Sequence, residues 1–396
     1  MLVNYINKPI LFRYGSALSK FLLLIILNSI TTSIEFIELT YIFILTAFIT
    51  IFAPIDYFQY SQIIYTKNNK ILSGRVYIVE NIISLITCSI AIIALTFITN
   101  IINFYSIGFI VSELIVASLG RVFYISDIKF KGTDFVFYKT APLLIIFFFI
   151  DFSYGKVTLN TILLIYIISN IFILILFNSK LLNYIELKKI KIILLIKRGL
   201  SFSKLIFIST VGFQLLNIVE KTNIKDITGS DNSIAIANYL FIYSLSVFVV
   251  NIMDIHVYRD AFLEFIKNKN SPKNKINSLL KINSLKTIKY YFIYGFIITT
   301  IAGPSYLIYK GENIKQILTL AFIVLVYNFF NVLINLTEYY YIAIKKLNVL
   351  AYSNAIALVF FVFLIYIFKL NNIYTLSLAF TTSLLILLIV RIKKLN

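Results

Sequence analysis

Again and again the sequence returns to a predominantly apolar run about as long as a membrane is thick. Crossing roughly 30 Å of hydrocarbon takes about 20 helical residues. Twelve runs meet that length, at 14–34, 37–56, 76–98, 104–126, 134–151, 158–178, 200–220, 234–255, 287–308, 316–342, 349–368 and 373–391. A water-soluble core has no room for so much apolar side chain. The chain is 60% hydrophobic and only 13% charged, whereas soluble domains run near a quarter charged. The reading is an all-α integral membrane protein with about twelve transmembrane helices. The first run is too long for the apolar core of a signal peptide and has no A-x-A-like cleavage site.

The net charge of +19 is distributed by topology. With the N-terminus in the cytoplasm, 30 of the 36 Lys and Arg fall in or beside cytoplasmic segments. The other six, Lys156, Lys221, Lys225, Lys310, Lys315 and Lys369, lie outside. That asymmetry obeys the positive-inside rule. It predicts a multi-pass protein of a cytoplasmic membrane with both termini inside, surrounded by membrane lipids, and gives no reason to expect a nucleic-acid partner. One cysteine, Cys88, rules out an internal disulfide and a multi-cysteine metal site, and one histidine, His256, leaves little for zinc or histidine catalysis. No catalytic group, metal site or cofactor is expected.

A weak internal repeat orders the spans. "RYGSALSKF" (13–21) and "KRGLSFSKL" (197–205) superpose Gly15 on Gly199, Ser19 on Ser203 and Lys20 on Lys204. The second span of each half ends in Asp-x-x-x-Tyr, Asp56 to Tyr60 and Asp254 to Tyr258. The chain therefore divides into an N-terminal six-helix bundle (1–178), a basic cytoplasmic linker (179–199) and a C-terminal six-helix bundle (200–396). With an even number of spans per half, the bundles are related by a pseudo-two-fold along the membrane normal, as in transporters that rock between inward-open and outward-open states.

Ionisable residues inside spans are costly and normally face a cavity or a partner. Span 1 carries Lys20, span 3 Glu80, span 4 Glu113 and Arg121, span 5 Lys139 and span 7 Lys204. The lysines and Arg121 lie near enough to span ends for their stems to snorkel to the interface. Glu113, in the middle of "SIGFIVSELIVASLGRVF", has no such route, and with Arg121 eight residues on it shares a polar stripe. A cationic patch in a low-dielectric cleft suits an anionic headgroup, above all a diphosphate. The substrate-binding candidates are Lys20, Arg121, Lys139 and Lys204. Glu113 is the candidate coupling carboxylate, with proton and sodium both open as the ion.

The pattern resembles the polysaccharide (O-antigen type) flippases of the multidrug/oligosaccharidyl-lipid/polysaccharide exporter superfamily. "GRVFYISDIKFKGTDFVFYKTAP" (120–142) is similar to that family's span 4 to span 5 passage. Glu220 and Lys221 occupy the place of its acidic-basic pair at the outer end of span 7, with Lys where Arg is frequent, and Tyr239 that of the aromatic opening span 8. The resemblance implies a flippase, not an enzyme, that carries a polyprenyl-diphosphate-linked glycan across the membrane by alternating access for surface polysaccharide synthesis, working beside other polysaccharide assembly proteins. Two alternatives stay open: a membrane polysaccharide polymerase or ligase, and a drug or ion exporter of the same fold.

Overall fold

The computed structural model describes residues 2–54, 57, 61, 70–98, 103–125, 131–182, 192–226, 233–268, 271–344, 346–370 and 372–394. Every described element is helical. In chain order they are α1 (Leu2–Ile30), α2 (Ser33–Phe52), α3 (Lys70–Ile98), α4 (Phe104–Ile125), α5 (Lys131–Tyr154), α6 (Leu159–Leu182), α7 (Ile192–Asp226), α8 (Ser233–Met253), α9 (Arg259–Lys267), α10 (Lys273–Tyr290), α11 (Gly303–Tyr309), α12 (Ile314–Ala343), α13 (Leu347–Phe368) and α14 (Ile373–Lys393). π-Helical turns at Asp254–Tyr258, Tyr291–Gly295 and Ile297–Ala302 join α8 to α9 and α10 to α11.

Within the described residues each of the twelve apolar runs is helical along nearly all of its length, the first across α1 and the start of α2. Nine described stretches are long and apolar enough to cross a membrane, and shorter apolar segments occupy Leu18–Ile30 and Phe104–Gly120. The remaining run belongs to α7, which carries charged residues toward both ends. In hydrocarbon a helix satisfies its own backbone, which is why the chain uses nothing else to cross. It is a multi-pass, all-α membrane protein.

The first two runs divide earlier than hydropathy indicates. Thr32 caps α2: its hydroxyl accepts from the Glu35 amide at 3.3 Å, while Glu35 accepts from the Thr32 amide at 3.1 Å. This reciprocal capping box ends α1 at Ile30 rather than at residue 34.

The chain forms two compact units, Met1–Phe207 and Ile208–Asn396, with the boundary inside α7. Residues 192–199, part of the basic segment between the two halves of the sequence, are already helical, and 183–191 lie outside the described residues. In the N-terminal unit the first part of α7 packs on Tyr57, whose hydroxyl donates to the Leu195 carbonyl at 3.2 Å and whose ring fills the notch left by Gly199. In the C-terminal unit α12 is the hub. Tyr258 donates to its Val332 carbonyl at 2.8 Å, and Tyr291 to its Leu325 carbonyl. A tyrosine hydroxyl away from water needs such a partner.

The two copies of the Gly-Ser-Lys segment share local features. Gly15 lies against the Phe137 ring and Gly199 against Tyr57; Ser19 and Ser203 are buried; Lys20 and Lys204 are exposed. Of the second matched pair, Asp56 and Tyr60 lie outside the described residues.

Candidate functional site

The N-terminal unit brings three of the five sequence candidates together, and glycine notches do the positioning. On α5, Phe135 and Phe137 project toward different neighbours. A Cβ on Gly120 of α4 would stand 2.7 Å from the Phe135 ring, and one on Gly15 of α1 would stand 3.2 Å from Phe137. Only a missing side chain lets both rings seat. Lys139 lies one turn beyond Phe135, on the same face of α5. There its ammonium forms an ion pair with Glu113 Oε1 on α4.

The other carboxylate oxygen is held from α6. Asn170 Nδ2 donates to Glu113 Oε2 at 3.0 Å and to Ser112 Oγ at 3.1 Å. Asn170 is fully buried, and its Oδ1 has no hydrogen-bond partner among the described residues. An unpaired buried acceptor costs about 1–3 kcal/mol. Below the pair, Tyr166 stands within electrostatic reach of Glu113 and packs edge-on to Phe43 and Phe109, both at 5.5 Å between ring centroids.

Lys20 completes the group. It is exposed on α1 and within electrostatic reach of both Lys139 and Glu113. The Lys139 and Glu113 side chains are 21% and 20% exposed, so the pair is not sealed inside the helices. Two ammoniums and one carboxylate leave a net positive charge, with Lys20 unpaired by any described ion pair. The group thus pairs one carboxylate with two cations, one of them held by Glu113 in an ion pair.

Arg121 and Lys204 stand differently. Arg121 lies in α4 two turns beyond Glu113, its side chain outside the described residues. Glu113 takes Lys139 of a neighbouring helix as its partner, a tertiary pairing that the stripe along α4 does not disclose. Lys204 is exposed on α7, with no ion-pair partner among the described residues. Glu80 is fully buried on α3.

The C-terminal unit builds a second Lys–Glu pair by another rule. Glu220 and Lys221 are successive residues of α7, whose side chains leave a helix about 100° apart, and the Lys221 stem folds across to reach its neighbour's Oε2. The Tyr239 hydroxyl of α8 donates to Glu220 Oε1 at 2.5 Å. The ammonium sits 3.3 Å from the centroid of the Tyr243 ring, a cation–π contact in a desolvated setting. Both side chains are sealed, at 1% and 0% exposure. The residues that carried the resemblance at span 7 and span 8 are therefore one cluster.

Arg391 was not singled out from the sequence. It is completely buried. Its Nε donates to Ser353 Oγ at 3.2 Å, Nη1 to the Ile334 carbonyl at 2.8 Å and Thr337 Oγ1 at 3.1 Å, and Nη2 to Asn354 Oδ1 at 2.9 Å. These bonds tie α12, α13 and α14. The usable signal was the polar Ser353-Asn354 pair inside an otherwise apolar span, which announces a buried donor.

Comparison with known proteins follows the fold. No family model matches the sequence, and no curated protein sequence matches it. Among solved structures the chain is similar to a lipid II flippase, MurJ, in an inward closed conformation, with a TM-score of 0.64 and 16% identity over 97% of this chain and 87% of that one. At that identity the likeness shows a shared fold.

Proposed function

We propose that the chain is a flippase that moves a polyprenyl-diphosphate-linked oligosaccharide across the cytoplasmic membrane for surface polysaccharide synthesis, by alternating access and with both termini in the cytoplasm. The observation that carries this reading is the accessible Lys20–Glu113–Lys139 group. In a span, a cluster with one cation to spare is a place for an anion. The similar structure, named a lipid II flippase, supports a lipid-linked glycan as cargo.

The geometry suggests a cycle. The diphosphate enters on Lys20 and draws Lys139 away from Glu113, so both ammoniums bear on the phosphates. Glu113, left with Asn170 alone, is then the place for a compensating proton or sodium ion. The glycan occupies the wet part of the path and the polyprenyl chain stays in lipid. Arg121 and Lys204 are further cations for the same headgroup.

A polymerase or ligase would need acid–base groups placed on an outer loop. The connections on the side assigned as outer are short. Residues 155–158, 310–313 and 369–372, four each, join successive helices there. These described connections leave no room for a glycosyl-transfer site.

The test is flipping in vesicles. Purified protein is reconstituted with a fluorescent polyprenyl-diphosphate oligosaccharide, and its arrival in the opposite leaflet is timed. Lys20→Gln and Lys139→Gln are each expected to slow flipping about tenfold or more, the worth of one charge-assisted hydrogen bond. Parental rates from both well-folded variants would refute the reading. A chain that leaves the glycolipid in place but extrudes a small cation would be an exporter of drugs or ions.

A further inference from the structure

The helical stretch Asn274–Tyr309 is 36 residues long, which at a helical rise of about 1.5 Å is about 50 Å. Hydrocarbon accounts for about 30 Å. The sequence of its outward face decides which part leaves the hydrocarbon. Over residues 292–301 the exposed side chains are all apolar: Phe292, Ile293, Phe296, Ile297 and Ile301 are 41–60% exposed. Before it, the same two rows of the helix carry Lys281, Lys286 and Lys289, all exposed, interleaved with Ile282 at 49% and Leu285 at 59%. Along one row run Ile282, Lys286, Lys289 and Ile293; along the next run Lys281, Leu285 and Phe292.

That alternation matches neither bulk water nor hydrocarbon. In water, Ile282 and Leu285 would be two bare aliphatic side chains on a lysine-rich face; in hydrocarbon, three ammoniums would be stranded. Between the two lies the headgroup layer, where aliphatic parts face acyl carbons and ammoniums reach phosphates. α10 contains no Asp or Glu. Glu264 of α9 meets it on its buried side, through Asn283 at 3.0 Å. The exposed face is thus a cationic band with no internal counter-charge, continuous with the lipid-facing band beyond it.

We propose that the outward face of α10 over residues 281–289 binds the phosphates of anionic phospholipids, with Lys281, Lys286 and Lys289 as donors and Ile282 and Leu285 seated at the top of the acyl region. This surface is separate from the Lys20–Glu113–Lys139 group and does not depend on what that group carries.

The test is lipid-selective quenching. In a Cys88→Ala background, Leu285→Cys carries a fluorophore, and the full chain is reconstituted at equal mole fractions of phosphatidylcholine and phosphatidylglycerol. Bromines are placed on the acyl chains of one lipid or the other. The anionic lipid is expected to show about fivefold or greater preference at the label, the effect of even one lysine near an anionic surface, falling as salt is raised. Lys281→Gln, Lys286→Gln and Lys289→Gln together should abolish the preference, while Arg at the same three positions keeps it and reports that the helix has folded. Equal quenching by both lipids in the parent, a preference that survives the triple Gln change, or no quenching by either lipid would each overturn the proposal. The last result would place this face in water or against another protein chain.

Discussion

The two units each hold a lysine–glutamate pair, and the pairs are opposites in setting. Lys139 and Glu113 come from different helices and stay about one-fifth exposed; Lys221 and Glu220 are chain neighbours sealed at 1% and 0%. Burying a charge pair exacts a desolvation cost that its mutual attraction barely returns. The sealed pair is tolerable because the Tyr239 hydroxyl and the Tyr243 ring supply what water would have supplied. The open pair keeps partial exposure, and the proposed cycle uses that exposure to free its lysine. On the proposed reading, identical side chains thus divide into one cluster that ties helices together and one that exchanges partners.

That contrast breaks most readily at the sealed end. Glu220→Gln or Lys221→Met alone strands a buried charge and is expected to cost about 3–5 kcal/mol, seen as a lower melting temperature in detergent. Changing both together should recover much of the loss. Arg391→Met belongs to the same class, since it leaves four acceptor groups without their donor. A single variant as stable as the parent would mean that the sealed pair is not an anchor.

Smaller losses sharpen the account of the open site. Gly120→Ala pushes a methyl against the Phe135 ring and is expected to cost about 1–3 kcal/mol as overpacking. Flipping should fall with it, because Lys139 rides on the same face of α5. Phe135→Leu in the Gly120→Ala background should restore part of both; no restoration would separate the notch from the site.

Glu113→Gln and Lys139→Met should move stability by only about 1 kcal/mol, as for an accessible pair, while flipping collapses. Equal damage to stability and transport would erase the distinction between the pairs.

The smallest effect is expected at His256. It lies past the apolar stretch of α8 and stacks on Tyr290 and Tyr294, with ring centroids 4.8 and 5.4 Å away. Burial holds its pKa below the ordinary 6.5. The folded state therefore prefers neutral imidazole, and stability drops as pH falls below 6.5 toward the lowered value. Melting curves of the parent should show that acid loss more than those of His256→Phe.

What was legible in the sequence, and what was not, follows from which forces are local. Hydropathy marks helices because the bilayer demands long apolar runs, so the described part of every run is almost wholly helical. The break at Thr31–Thr32 needed the capping box instead, a polar signal four residues long inside two apolar runs. The stretch leading into the ninth span was read as beginning at 287, yet the helix starts at Lys273, because lysines favour helix as much as they avoid lipid. At the site, single costly residues were visible one by one. Their partners were not: Glu113 finds Lys139 and Asn170 through packing of three helices, and the notches at Gly15 and Gly120 that bring this about look like any small residues in a span. Arg391 was hidden for the opposite reason, because an arginine beside a terminal Lys-Lys is ordinary flanking charge until the fold covers it.

The most direct measurement is binding of a short-chain polyprenyl-diphosphate oligosaccharide to the purified protein, compared with its monophosphate counterpart. The account predicts that the diphosphate binds more tightly, that Lys20→Gln with Lys139→Gln removes this advantage, and that Glu113→Gln, which frees Lys139, preserves or increases it. Undiminished diphosphate binding in the double lysine variant would contradict it.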